Sequence, residues 1–122
     1  MRYPYPTVRI DAVDQWIEKN EDMLLVDLRN REEYRQGHLK GAVNIPYGEL
    51  TARYGELPSD RTLVLYCSRG AQSMRACNNL ARLGYQVVNT AGGLVYYRGK
   101  YMEKGSVSEG NVDRNSSQDL QW

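Results

Sequence analysis

The stretch TLVLYCSRGAQS, from Thr62 to Ser73, decides the fold. Thr62 to Tyr66 is a short, nearly continuous apolar run, which is typical of a strand buried on both faces of a parallel sheet. From Ser73 to Leu83 the apolar residues recur at helical spacing, and Gly84 marks the end of that helix. A polar turn that begins with Cys67 joins the two elements. This order of strand, turn and helix is the building unit of an α/β protein.

The rest of the chain alternates in the same way. Strands are predicted at residues 8–10, 23–26, 42–45 and 85–89, and further helices after Asp11, after Asn30, around 50–54 and across 94–102. Asp11 and Asn30 are residue types that cap helix N-termini. Regular alternation of strands and helices favours a parallel sheet flanked by helices.

Length and charge exclude several classes of protein. The chain has 122 residues and a net charge of +1, so we expect one domain and no nucleic-acid partner. No apolar run is longer than the five residues 63–67, which excludes a membrane-spanning segment, and residues 1–6 do not resemble a secretory signal. We therefore expect a cytoplasmic protein. The domain is predicted to cover residues 1–102, because residues 103–122 carry too few apolar side chains to order and are predicted to form a disordered tail.

Cys67 is the first candidate for chemistry. With two cysteines and one histidine, the chain lacks the ligands of a zinc site, and we expect neither metal nor cofactor. In open α/β sheets ligands bind where strands lead into helix N-termini, which is where Cys67 stands. The small, polar loop that follows, with Gly70 at its centre, can turn its N–H groups inward, and the helix dipole adds to the stabilisation of a thiolate. Arg69 supplies a cation. The alternative is that Cys67 merely fills the buried end of a strand.

Three other features have a structural reading beside a functional one. His38 could act as a base for Cys67, but its position in a turn favours a structural hydrogen bond. Cys77 shares a helix face with Leu80 and Ala81, and with Met74 before it, which indicates a core position rather than a resolving thiol. Charged residues such as Glu32, Glu33 and the scattered arginines are predicted to form a solvated surface.

Six blocks of the sequence carry a resemblance to a known family: Val26 to Arg29, Arg31 to Tyr34, Gly37 to Pro46, Tyr66 to Ser73, Leu83 to Tyr85 and Ala91 to Gly93. In this order they resemble the single-domain rhodanese family of sulfurtransferases. The most diagnostic of them reads GHLKGAVNIP, from Gly37 to Pro46. Tyr96 and Tyr97 depart from the family, which often has tryptophan after the paired glycines.

The resemblance implies a three-layer α/β fold with a central five-stranded parallel sheet and helices on both faces. It further implies that Cys67 is the catalytic residue, which takes the outer sulfur of a donor such as thiosulfate or a persulfide, and passes it to a thiol or a protein. Substrate-binding residues would then be Ser68, Arg69, Gly70, Ala71, Gln72 and Ser73.

Ser73 separates this chain from related phosphatases. Those enzymes close a C-x₅-R loop with an arginine that grips phosphate, whereas Ser73 occupies that position here and Arg75 comes two residues later. The alternatives left open are a partner-binding module of this fold and a thiol redox switch that uses Cys77. The oligomeric state, the physiological donor and the acceptor are not indicated by the sequence.

Overall fold

The computed structural model describes residues 5–105, and the central strand and helix are where the sequence places them. Strand β5 covers Thr62–Tyr66 as predicted, and helix α4 covers Ala71–Arg82, beginning two residues earlier than expected. The other strands are β1 Thr7–Arg9, β2 Met23–Asp27, β3 His38–Leu39, β4 Val43–Asn44, β6 Val87–Ala91 and β7 Met102–Glu103, and the other α-helices are α1 Val13–Glu18, α2 Arg31–Gln36 and α3 Leu50–Arg53.

Five strands form one sheet in the order β1-β6-β5-β2-β4, and each neighbouring pair runs parallel. This confirms the expected α/β fold with a five-stranded parallel sheet. Strand β5 is the central strand of the sheet. Its carboxyl end therefore lies midway along the side of the sheet where all five parallel strands end. Cys67, the next residue, therefore stands where ligands bind in open α/β sheets.

The side chains of β5 alternate between two cores, one on each face of the sheet. Leu63 and Leu65 pack in the core covered by α3 and α4, whereas Val64 and Tyr66 pack in the core that includes residues of α1 and α2. Burial on both faces explains why the strand is continuously apolar. The result is three layers, as predicted. In the described residues no helix is long and apolar enough to cross a membrane.

One of the two predicted helix caps forms, and the other does not. Asn30 caps α2 with a full capping box: its side-chain oxygen accepts the N–H of Glu33, and the Glu33 carboxylate accepts the N–H of Asn30. Asp11 caps nothing. It lies within a 3₁₀ turn, Ile10–Ala12, and accepts the backbone N–H of Arg98, so a tertiary contact replaces the local one.

The helix predicted across residues 94–102 is wrong. Only a 3₁₀ turn, Leu94–Tyr96, forms there, and the chain then extends into β7, which pairs antiparallel with β3. A glycine inside the segment, Gly99, disfavours a helix, and the pairing with β3 satisfies the backbone instead. Glu103 lies in this strand, and the N–H of Gly105 donates to the Arg35 carbonyl at 2.7 Å. The remaining part of the predicted tail, residues 106–122, lies outside the described residues.

Candidate active site

The loop after β5 curls around the sulfur of Cys67. Cys67 is only 2% exposed, and its Sγ accepts the N–H of Gly70 at 3.0 Å and the N–H of Ser73 at 3.3 Å. Gly70 has φ +101°, a left-handed conformation that suits glycine and turns the chain from the loop into α4. Two amides and the positive end of a helix dipole thus face one sulfur, an arrangement that stabilises negative charge on it.

The turn after β6 braces this loop from behind. Leu94 donates its N–H to the Cys67 carbonyl at 2.8 Å, and Val95 donates to the Ser68 carbonyl at 3.1 Å. The approach is so close that a Cβ on Gly93 would overlap the Ser68 carbonyl and the Arg69 nitrogen. No local pattern in the sequence predicts this bracing contact, because it joins segments that are distant along the chain.

Ser73 closes the loop and is fully buried. Its hydroxyl lies 2.8 Å from the side-chain oxygen of Asn89 and 3.1 Å from the Gly70 carbonyl, so it can donate to either. The bond to Asn89 connects the first turn of α4 to β6. Arg75 is exposed and does not take the place of a phosphate-gripping arginine at the closing position.

The remaining loop residues lie closer to solvent. Arg69, Ala71 and Gln72 are exposed, and Ser68 is partly buried. Ala71 and Gln72 begin α4, so their N–H groups have no acceptor within the helix and remain open to an anionic ligand. The seven site residues predicted from the sequence thus form the loop, from Cys67 to Gly70, and the first turn of α4, from Ala71 to Ser73. The N–H groups of Gly70 and Ser73 face the sulfur, and the exposed cation Arg69 lies at the rim.

Cys77 and His38 are both fully buried. Cys77 is fully buried beside Ala76 and Leu80, and burial together with the nearby Cys67 raises the pKa of its thiol to about 12. Met74, expected on the same buried face, is exposed instead. His38 is fully buried, donates from Nδ1 to the Tyr34 carbonyl at 2.8 Å and stacks on the Tyr34 ring. Tyr34 belongs to the core on the other face of the sheet from Cys67, so the structural reading of His38 is confirmed.

A buried charged pair was missed by the sequence analysis, which placed the arginines on the surface. Asp27 is fully buried and accepts bonds from Arg29 Nη2 at 2.8 Å and from the hydroxyl of Tyr66 at 2.7 Å. Burial lowers the pKa of Arg29, but pairing with Asp27 outweighs it and leaves that pKa raised. Since Tyr66 immediately precedes Cys67, the pair fixes the end of β5. The i, i+2 spacing of Asp27 and Arg29 at a strand end was the available signal.

Comparison with known proteins shows the family of the chain. The family model for the rhodanese-like domain matches residues 10–100 of the chain. The chain belongs to the rhodanese-like domain family. Among solved structures, a rhodanese-like domain protein from Staphylococcus aureus superposes with a TM-score of 0.74 at 21% identity, covering 83% of this chain and 99% of the other, which shows the shared fold.

The curated relatives of this rhodanese-like domain include proteins named as sulfurtransferases. A sulfurtransferase of Allochromatium vinosum is 38% identical over 86 residues, which span 70% of this chain and 80% of the relative. The thiosulfate sulfurtransferase PspE of Escherichia coli is 41% identical over 71 residues, which span 57% of this chain and 68% of PspE. These relatives support rhodanese-type sulfur transfer as the general class of activity.

Proposed function

We propose that the protein is a sulfurtransferase that carries a sulfane sulfur as a persulfide on Cys67, with thiosulfate or a persulfide as donor. The observation that carries the proposal is the pair of N–H bonds from Gly70 and Ser73 to Cys67 Sγ at the centre of the sheet edge. A sulfur held by amides needs no neighbouring base to become a nucleophile. Like its thiosulfate-using relative PspE, the chain would act on a small anionic donor.

The proposed reaction has two steps. In the first, the Cys67 thiolate attacks the outer sulfur of thiosulfate, the S–S bond of the donor breaks, and sulfite leaves with the electron pair. In the second, an acceptor thiolate or cyanide attacks the outer sulfur of the persulfide, and Cys67 leaves as thiolate. Ala71 and Gln72 would bind the anionic donor through their open N–H groups, with Arg69 attracting it. No external oxidant or cofactor is needed.

The competing functions have less support. A redox switch requires Cys77 to attack a modified Cys67, yet a thiol with a pKa near 12 is almost entirely protonated at neutral pH. A pure binding module would not need the two amides on the Cys67 sulfur. Both thiols are free, and we place the protein in a reducing compartment such as the cytoplasm.

Mass spectrometry of the intact protein tests the proposal. After incubation with thiosulfate and removal of excess donor, we expect one added sulfur atom, lost again on treatment with cyanide. The Cys67→Ser variant should take up none, because a hydroxyl is too weak a nucleophile. Cys77→Ala is the matched control and should load like the parent. Loading of Cys67→Ser, or no loading of the parent by thiosulfate or a small persulfide, would refute the mechanism.

A further inference from the structure

Positive and negative residues are unevenly distributed along the sequence, although the net charge is small. Between Arg61 and Met102 there are six lysines and arginines and no aspartate or glutamate, although the whole chain has a net charge of only +1. Arg61 pairs with Asp22, and Lys100 lies near Glu18. Within residues 5–105, however, Arg69, Arg75 and Arg82 form no ion pair. The segment that carries Cys67 therefore presents three cations that no acidic side chain of residues 5–105 neutralises.

Exposed apolar side chains surround the same loop. The described residues include five large apolar side chains that are exposed, and three of them adjoin the loop: Met74 (38%), Val95 (44%) and Tyr96 (59%). Met74 lies in the first turn of α4, and its N–H donates to the Gly70 carbonyl. Val95 is hydrogen-bonded to Ser68. The Tyr96 ring lies over Gly92, and Gly92 in turn abuts Gly70.

Three cations border these side chains. Arg69 is in the loop, Arg75 follows Met74 on the exposed side of α4, and the Nη1 of Arg98 lies 3.5 Å from the Val95 carbonyl. The loop-mouth patch is defined here as Met74, Val95 and Tyr96 with Arg69, Arg75 and Arg98. A small dianion such as thiosulfate uses cations and amides but gains nothing from exposed apolar groups, which normally mark a protein interface when they cluster.

We propose that the loop-mouth patch docks the sulfur acceptor, and that this acceptor is a protein segment with a cysteine flanked by carboxylates and apolar side chains. The inference rests on the proposed function. Because Cys67 is almost fully buried, an acceptor thiol must be brought into the loop by contacts around its mouth. Positive charge there favours an acidic partner and repels a basic one. An apolar centre with only three cations fits protein better than nucleic acid, whose binding depends on many phosphate contacts.

The transfer step is balanced without any further reagent. The thiolate of the acceptor cysteine attacks the outer sulfur of the Cys67 persulfide, and the bond between Cys67 Sγ and that sulfur breaks. Cys67 leaves as a thiolate, and the acceptor becomes the persulfide.

Synthetic peptides test the proposal in single-turnover experiments on the full chain loaded with thiosulfate. Three peptides share one cysteine and flanking leucines but carry glutamate, glutamine or lysine around them, and peptide persulfide is measured by mass spectrometry. We expect transfer to the glutamate peptide to be about tenfold faster than to the lysine peptide. The ratio of peptide to cyanide transfer should fall about fivefold in Tyr96→Ser, and also in Arg75→Gln.

Matched controls lie at the far end of α4. Leu83 is also exposed (54%), and Arg82 also forms no ion pair with the described residues, so Leu83→Ser and Arg82→Gln should transfer to peptide and to cyanide like the parent. Equal rates for the three peptides, or equal behaviour of Tyr96→Ser and Leu83→Ser, would overturn the docking proposal. If sulfur transfer to cyanide continued while the docking proposal failed, the proposed sulfurtransferase function would still hold. If the parent protein never loaded sulfur, both the proposed function and the docking proposal would be wrong.

Two other occupants of the loop-mouth patch, a second copy of the chain and a nucleic acid, would give different results. If sedimentation shows that the full chain self-associates and that Tyr96→Ser abolishes this, a second copy covers the patch and the proposal is wrong. If an oligothymidine strand suppresses transfer to the glutamate peptide more strongly than polyglutamate does, the patch binds nucleic acid and the proposal is equally wrong.

Discussion

Cys67 and Cys77 carry the same thiol in opposite surroundings. Cys67 Sγ accepts two backbone N–H groups at the mouth of the sheet, whereas Cys77 lies in the apolar core, where burial raises its pKa. Negative charge is stabilised on the first sulfur and disfavoured on the second. At the scale of single residues, these environments support the proposal that Cys67, and not Cys77, is the nucleophile.

Replacing Cys77 with alanine should lower stability and leave sulfur loading intact. The lost buried volume costs about 1 kcal/mol, to be measured by urea unfolding. Thiosulfate turnover of Cys77→Ala should match the parent within error. An intramolecular disulfide in the mildly oxidised parent, together with over-oxidation of Cys67 in Cys77→Ala, would instead favour the redox switch.

Arg69→Ala should weaken donor binding. Arg69 is exposed at the loop rim, so its loss should raise KM for thiosulfate by about two- to fivefold and lower kcat less. Arg82→Ala is the control, since Arg82 is an equally exposed cation on the last turn of α4. Steady-state kinetics decide the matter: an unchanged KM in Arg69→Ala would exclude Arg69 from donor binding.

At the scale of elements, the loop depends on the turn that packs behind it. Gly93→Ala should displace the Cys67 loop, because the new Cβ would overlap the backbone of Ser68 and Arg69. Gly84→Ala is a matched control: Gly84 also has a positive φ, but nothing lies within 4 Å of the position of its Cβ. Both variants should lose about 1 kcal/mol to backbone strain. Only Gly93→Ala should lose most of its sulfur transfer, and equal activity of the two would contradict the bracing role.

Glu49 joins two elements and should make the protein sensitive to acid. It binds Arg31 of α2 and Arg53 of α3, and these guanidinium groups, Arg31 first, lower its pKa to about 2. A carboxylate with a lowered pKa adds stability above its ordinary pKa near 4.5, and that contribution is lost as the pH falls toward 2.

Glu49→Gln should therefore be less stable at neutral pH, by about 0.5 kcal/mol because the carboxylate is partly exposed and screened. Its stability should also fall less steeply between pH 4.5 and 2, measured by urea midpoints across that range. Glu21→Gln is the control, because Glu21 is exposed and forms no ion pair with residues 5–105. Parallel pH profiles for the parent and Glu49→Gln would rule out this contribution.

At the scale of the whole molecule, local patterns predicted the strands and helices that build the sheet and its layers, but not the order of the strands. Strand β5, the cap at Asn30 and, except for Met74, the buried face of α4 follow from residue type and spacing, and so does the position of Cys67 after the carboxyl end of β5. The roles of the loop residues in catalysis stay predictions.

The long-range contacts could not be predicted from the sequence. Strand β7 forms because two-residue segments, His38–Leu39 and Met102–Glu103, pair across the fold, and such short strands have no periodicity to detect. Burial of the Asp27–Arg29 pair and the contact of Gly93 with the loop are likewise products of the assembled tertiary structure.

The unbalanced charge of residues 61–102 should govern how donors reach Cys67. The cations around the loop, which form no ion pair within residues 5–105, attract an anion in proportion to its charge. Salt screens that attraction over about 10 Å at 0.1 M. KM for thiosulfate, a dianion, should therefore rise with sodium chloride concentration. For benzenethiosulfonate, a monoanion with the same outer sulfur, the slope of log KM against the square root of ionic strength should be about half as large. Equal slopes for the two donors would mean that salt acts on the protein and not on donor attraction. In Arg69→Ala both slopes should shrink, because the removed cation is the one in the loop itself.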